Sequence, residues 1–298
     1  VQACVLQGSM WIALSLLSAF FTATTAAFSK LALKDNDEYL VGWMRCVVSL
    51  PVFLSLLFFI KIPHLDLKFF YIMVILLPLE IIAYLLYLKA LKLSPLSLTL
   101  PFMALTPVFM ILTSRLILGE NIVPLGVAGI LLVFVGAYVL NLRSRKDSLL
   151  GPVRSLIKEK GSVYMIIVAF IYSITAVLGK LAIDHSSSMF IVAAYFPVVT
   201  ILLTPIIICR YREGKIDISK IKRQSKLFLF IGALFFITVL VHFAALDISS
   251  AAYMIALKRL SMVFGIFYGW ILFKEQDLMS RLLGTGVMIL GVVLISLA

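Results

Sequence analysis

The sequence predicts an all-α membrane protein whose ten transmembrane helices form two inverted five-helix repeats. Hydrophobic residues make up 63% of the 298 positions and charged residues only 13%. The mean hydropathy is +1.14, and apolar runs of bilayer-spanning length follow one another through the chain. A soluble core has no use for so much apolar surface. In hydrocarbon no water reaches the backbone N–H and C=O groups, so such runs satisfy them internally, as helices packed on one another.

Stretches poor in charge place the spans near Met10 to Leu33, Leu40 to Ile60, Phe69 to Leu91, Pro95 to Leu118 and Ile122 to Leu142 in the first half. In the second half they fall near Ser162 to Ile183, Met189 to Cys209, Leu227 to Leu246, Ser250 to Phe273 and Leu282 to Ala298. The first run is too long for a signal-peptide core and has neither a basic start nor a small-residue cleavage site, so it reads as a retained helix. Gly8-Ser9 before Met10 resembles a cloning junction, and residues 1–9 are set apart from functional reasoning. The organisation expected is a first repeat over 10–142, a connecting cytoplasmic loop over 143–161 and a second repeat over 162–298.

The formal net charge is +12. Its location points to the anionic lipid surface and not to nucleic acid, because the basic residues gather in loops beside the spans. Loops after odd-numbered spans hold eighteen of the 26 Lys and Arg, whereas the other side holds Lys61, Lys68 and Arg115. The positive-inside rule then puts the odd loops in the cytoplasm and both termini outside. Cys4, Cys46 and Cys209 are too few and too scattered for a disulfide framework or a metal site.

Two constant offsets reveal an internal duplication. A shift of 150 lays Phe28 to Leu33 (FSKLAL) over Leu178 to Ile183 (LGKLAI), matching Lys30 to Lys180 and Thr25 to Thr175. A shift of 155 aligns Ser94 with Ser249, Leu105 with Leu260, Glu120 with Glu275, Gly129 with Gly284 and Gly136 with Gly291. Five spans per copy is an odd number, so the second copy enters from the opposite side. That is the inverted-topology repeat used for alternating access, with the binding site near the midplane.

The paired endings LGENIVPLGVAGILLVFVGAYVL (118–140) and FKEQDLMSRLLGTGVMILGVVLI (273–295) resemble the drug/metabolite transporter superfamily, particularly its EamA-like members. The resemblance covers nearly all of 10–298 and implies a secondary transporter with a central cavity. A narrower likeness joins Ala256-Leu257-Lys258-Arg259-Leu260 and LGTGVMILGV (283–292) to triose-phosphate/phosphate translocators, and it implies phosphate binding by the Lys-Arg pair. Met103 stands where that family has a further phosphate-binding lysine, a departure from its pattern.

Charged groups deep in a span cost about 2.5 to 3.5 kcal/mol on insertion scales and default to functional hypotheses. Lys258 and Arg259 follow Ser250 closely enough to lie roughly 12 to 14 Å deep. Glu80 is the one deep acid in the sequence, either their counter-ion or a proton-carrying carboxylate. Arg45, early in the second span, is expected to reach the cytoplasmic interface as a gate or structural ion pair. His242, which aligns with Tyr87 in the repeat, either donates into the cavity or packs within the protein. Tyr84 and Tyr253 are the aromatic candidates for substrate contact, against a default of interface belt or helix packing. Lys30 and Lys180 are expected to complement helix dipoles and snorkel to the surface. Pro101 and Pro107 are expected to bend the fourth span toward the cavity.

No phosphate-binding G-x-x-x-x-G-K-[ST] motif is present, so energy is expected from a gradient or from exchange. The spans hold no H-E-x-x-H pair or Ser/His constellation, which argues against an intramembrane enzyme, and no cofactor is expected. The expected function is transport of a small polar, anionic metabolite. A flippase for a phosphorylated or anionic lipid and a non-transporting receptor or scaffold stand as alternatives. The chain is expected to act as a monomer in a prokaryotic cytoplasmic membrane.

Overall fold

The computed structural model describes residues 2–93, 100–142, 160–273 and 278–298, and the secondary structure among them is helical throughout. The helices are α1 (Gln2–Leu33), α2 (Glu38–Phe59), α3 (Leu67–Leu93), α4 (Leu105–Leu118), α5 (Pro124–Leu142), α6 (Lys160–Asp184), α7 (Ser188–Arg212), α8 (Ser225–Asp247), α9 (Ala251–Lys258), α10 (Ser261–Phe273) and α11 (Leu278–Ser296). A 3-10 turn, Leu100–Ala104, leads into α4, and a six-residue helix, Ile218–Arg223, precedes α8. Pro95 and Ser94, the basic connection over 143–159, and Lys274 with Glu275 lie outside the described residues.

Among the described residues, seven segments are long and apolar enough to cross a membrane: Met10–Leu33, Glu38–Phe59, Leu67–Tyr87, Lys160–Asp184, Ser188–Arg212, Ser225–Asp247 and Ala251–Leu272. They coincide with the first three and the sixth to ninth sequence spans. Phe102–Leu118, Pro124–Val139 and Leu283–Ser296 are shorter apolar helices on the fourth, fifth and tenth.

Two spans expected to be continuous are broken. The ninth stops at Lys258, turns through Arg259 and Leu260, and restarts at Ser261. At the turn Arg259 N–H is shared between Ile255 O (3.2 Å) and Ala256 O (3.1 Å), and Met262 N–H bonds Arg259 O at 3.0 Å. The bonds to Ala256 O and Arg259 O are the tightened i→i−3 contacts of a 3-10 passage. The fourth changes from 3-10 to α geometry at Leu105. Leu105 and Leu260, 155 residues apart, are the residues the repeat aligns. In the fourth span Pro107 sits in the first turn of α4, where its missing N–H costs least. The Met103 carbonyl, four residues earlier, accepts the Thr106 hydroxyl at 2.8 Å instead.

Packing is pairwise. α5 lies along α11, α1 along α8, α3 along α6 and α2 along α7; α4 rests on α6, and α9 and α10 rest on α1. Lipid tails are as apolar as leucine, so close backbone approach and polar contacts carry much of the association. Thr25 and Thr238 join α1 to α8 at 3.1 Å, Thr24 and Tyr268 join α1 to α10 at 2.7 Å, and Trp43 Nε1 donates to Thr204 on α7 at 3.1 Å. Ser49 Oγ lies 2.7 Å from the Gly232 carbonyl of α8, where α2 and α8 approach closely.

The connections gather at two ends of the bundle. At one end Arg210 pairs with Asp37 (3.2 Å) and Glu38 (3.7 Å), and Gln224 donates to Asp35 at 2.7 Å. At the other His185 lies 2.9 Å from Asp66, whose carboxyl is held below its usual range first by the Phe69 backbone N–H and then by His185. Lys180 also engages at this second end instead of snorkelling outward as expected. It donates to the Ser249 carbonyl and lies 3.5 Å from Glu120, which accepts from Ser250 at 3.0 Å.

The α5–α11 seam has no room for side chains at its glycines. A Cβ on Gly129 would stand 2.7 Å from the Gly291 carbonyl, one on Gly291 2.7 Å from the Gly129 carbonyl, and one on Gly136 2.5 Å from Met288 N. The opposing atoms are backbone and cannot rotate away. Gly291→Leu and Gly129→Leu are each expected to destabilise the protein by about 1–3 kcal/mol, the range for overpacked cores. Thermal unfolding in detergent measures this, with Gly286→Leu, where a Cβ meets open space, as the control that stays near the parent.

Candidate functional site

The break in the ninth span delivers two cations into the interior. Lys258 is the last residue of α9 and Arg259 its C-cap. Neighbours on a helix point about 100° apart, so the two side chains address different partners.

Lys258 Nζ stands 3.3 Å from Nδ1 of His242 on α8, and its electrostatic surroundings are Arg259, Glu80 and Arg45. Arg259 has Tyr172 of α6 and Tyr87 of α3 beside it, and its Nε is buried with no hydrogen-bond partner among the described residues. Glu80 on α3 has Thr175 of α6 as its polar neighbour, with Lys258 and Arg45 as the cations in its field.

Arg45 turns inward, contrary to the expectation that it reaches the interface. Its guanidinium carbon lies 4.9 Å from the centre of the Phe235 ring and 5.6 Å from that of Tyr84, within cation–π range. Aromatic faces give the guanidinium a partner that a lipid-facing arginine lacks. Tyr84 runs from Arg45 to Gly42, one helical turn away on α2, where its hydroxyl occupies the space a side chain would fill.

Glu80, His242, Lys258 and Arg259 are half-buried. The cluster draws on α2, α3, α6, α8 and the α9–α10 break, hence on both halves of the chain.

Tyr253 stands apart from this cluster. It stacks on Trp11 at 6.4 Å and rests on Gly126 at the start of α5, close to Glu120. That is the end of the bundle where Lys180 and Ser250 also meet. Conversely, Tyr172 and Thr175 stand within the charged cluster, beside Arg259 and Glu80, and were not among the sequence candidates. The sequence signal is a pair of polar residues three apart, a spacing that places them on one helix face. No group of three or more potential metal-ligating side chains occurs among the described residues.

A bundle of apolar helices long enough to cross a bilayer, enclosing charged groups from both halves, defines a multi-pass membrane protein built around a polar interior. The chain belongs to the EamA-like transporter family, which it matches over residues 9–142 and 159–297. It is thus a membrane transporter. A curated relative from Archaeoglobus fulgidus, described as an uncharacterized transporter, is 25% identical over 212 residues, 71% of this chain and 70% of the relative. A solved structure described only as the crystal structure of a protein shares the fold, with a TM-score of 0.70 at 17% identity over 95% of this chain and 98% of that one.

The Tyr84 contact yields a test of the site's framework. A Cβ on Gly42 would stand 1.2 Å from the Tyr84 hydroxyl, which is buried without a partner among the described residues. Gly42→Ala is expected to lower stability by about 1–3 kcal/mol despite the better helix propensity of alanine. Tyr84→Phe is expected to be neutral or stabilising, because it deletes an unsatisfied polar group. The double variant should recover part of the loss; thermal unfolding of the three variants checks the ordering.

Proposed function

We propose that this protein is a secondary transporter that moves a small polar, anionic metabolite by alternating access, binding it between Lys258 and Arg259 in the central space. One observation carries the reading: Lys258, Arg259 and Arg45 converge on a region where Glu80 is the only carboxylate among the described residues. Buried charge demands compensation, and a carboxylate or phosphate on the substrate supplies it. Arg259 brings a planar fork suited to two oxygens and Lys258 a point charge alongside. Glu80 tempers the positive field so that the anion can leave. His242 and Tyr84 shape the polar wall, Tyr253 contributes at one mouth, and Arg45 acts as the ion-pairing or gating element between α2 and α3.

The halves over 10–142 and 162–298 act in this reading as inverted five-helix repeats joined by the loop over 143–161. The family match over each half supports it. So do the packing pairs: α1 on α8 mirrors α3 on α6, and α2–α7 and α5–α11 map onto themselves under exchange of halves. The breaks at Leu105 and Leu260 are related in the same way. The protein is placed in a prokaryotic cytoplasmic membrane as a monomer, with a free small-molecule substrate as its partner.

Thermal stabilisation of the purified protein by a panel of phosphomonoesters, carboxylates, amines and neutral sugars tests the substrate class, because a ligand binding only the folded state raises stability by mass action. Anions are expected to stabilise. Lys258→Ala and Arg259→Ala should each weaken anion binding at least tenfold, about 1.4 kcal/mol, while Lys30→Ala does less. Preference for a cation, or normal flux in both variants, overturns the reading; translocation of a labelled anionic lipid in place of soluble anions favours a flippase.

The excess of basic residues in the odd-side loops supports an orientation with both termini outside the cytoplasm. A C-terminal fluorescent reporter that matures only in cytoplasm is expected to stay dark, and a bright one reverses the orientation.

A further inference from the structure

Positive charge alone does not account for the contact between Lys258 and His242. Their nitrogens lie 3.3 Å apart, and a hydrogen bond between two nitrogens requires one of them to present a lone pair. An ordinary amine is far more basic than an imidazole, so Lys258 donates and Nδ1 of His242 accepts. The contact carries one positive charge and leaves a site for one more proton.

The groups around the pair set the condition for filling that site. Arg259 follows Lys258 directly, Glu80 faces it from α3 and Arg45 from α2. Tyr172 on α6 and Tyr195 on α7 border Glu80. Against His242 itself stand Lys258 and Arg259, with the Phe243 ring at 5.1 Å. Among the other helices packed against α8 or α9, α1, α4 and α11 have charged residues only near their ends, at Lys30, Arg115 and Arg281, α5 has none, and the short helix Ile218–Arg223 has Lys220, Lys222 and Arg223 at the Arg210 end of the bundle. A second proton therefore meets three cations and one carboxylate. An anion bound beside it shifts that balance in its favour.

We propose that His242 is a proton-binding site loaded by the substrate, so that an anion and one proton bind together and cross the membrane in the same direction. The inference rests on the anionic reading of the site. The step is acid–base only. A proton from water adds to the Nδ1 lone pair, the Lys258–His242 hydrogen bond opens, and the two cations turn to the anion. On release the proton returns to water and the bond re-forms. Linkage makes the effect reciprocal, because the anion strengthens proton binding by the factor by which the proton strengthens anion binding. A monoanion carried with its proton crosses as a neutral load.

Titration calorimetry of the intact purified protein at pH 7.5, in two buffers with different ionisation heats, measures the protons taken up on binding. The probes are sulfate, a monocarboxylate, a dicarboxylate and a phosphomonoester, with the probe's own proton exchange subtracted. Uptake of close to one proton per bound anion is expected, with affinity rising up to tenfold per unit fall in pH. His242→Gln still offers Lys258 an acceptor but cannot take a proton, so its remaining anion binding should involve no proton uptake and be flat with pH. Binding without uptake by the parent overturns the inference and leaves the anionic reading standing. Uptake that persists in His242→Gln also overturns it. Failure of every probe to bind the folded parent overturns the anionic reading and the inference with it.

Discussion

Hydrocarbon offers the backbone no hydrogen-bonding partner, and among the described residues the spans meet that demand except at two places. Along most of the chain the helix ladder meets it. At Leu105 and at Arg259–Leu260 the ladder is interrupted, and substitutes appear beside each break: the Thr106 hydroxyl on the Met103 carbonyl, and 3-10 contacts around Arg259. Irregular backbone at membrane depth is tolerated where protein or an enclosed polar space surrounds it. The break in the ninth span is therefore found where Lys258 and Arg259 are.

Cations at that depth create a second demand, which the neighbouring helices answer unevenly. Lys258 has an imidazole and a share of one carboxylate; Arg45 has two aromatic faces. Arg259 has tyrosines nearby, but its Nε has no hydrogen-bond partner among the described residues. A site assembled for stability alone would place an acid against each cation. Across α2, α3, α8 and α9 the interior instead sets Arg45, Lys258 and Arg259 against Glu80 as the only acid among the described residues of the cluster.

Seven of the spans, and the charges that interrupt their apolar runs, are legible in the sequence, because both follow strong energetic rules. A charge within an apolar run is conspicuous, so Glu80, Lys258 and Arg259 stood out. The break at Leu260 is not visible in the sequence, because no proline or glycine occurs over 251–264 to mark it; Pro101 and Pro107 hint at the companion break. Arg45 was read as an interface residue because its partners are rings supplied by α3 and α8, remote in sequence. Tyr253 was grouped with the cavity on residue type alone, whereas its face of α9 turns to Gly126 and Trp11. Which face a helix presents depends on its neighbours, and nearly uniform hydrophobicity around these helices conceals that choice.

The glycine seam between α5 and α11 also constrains how this chain changes over generations. Gly129 and Gly291 each fill the room the other's side chain would need, and Gly136 meets Met288 and the carbonyl of Gly284 in the same way. A larger residue at any of these positions requires the opposite helix to withdraw, and withdrawal at one contact strains the next along the seam. Substitutions there are conditional on one another across the two halves. However far the remaining helices diverge in sequence, the last helix of each half is the selective environment of the other.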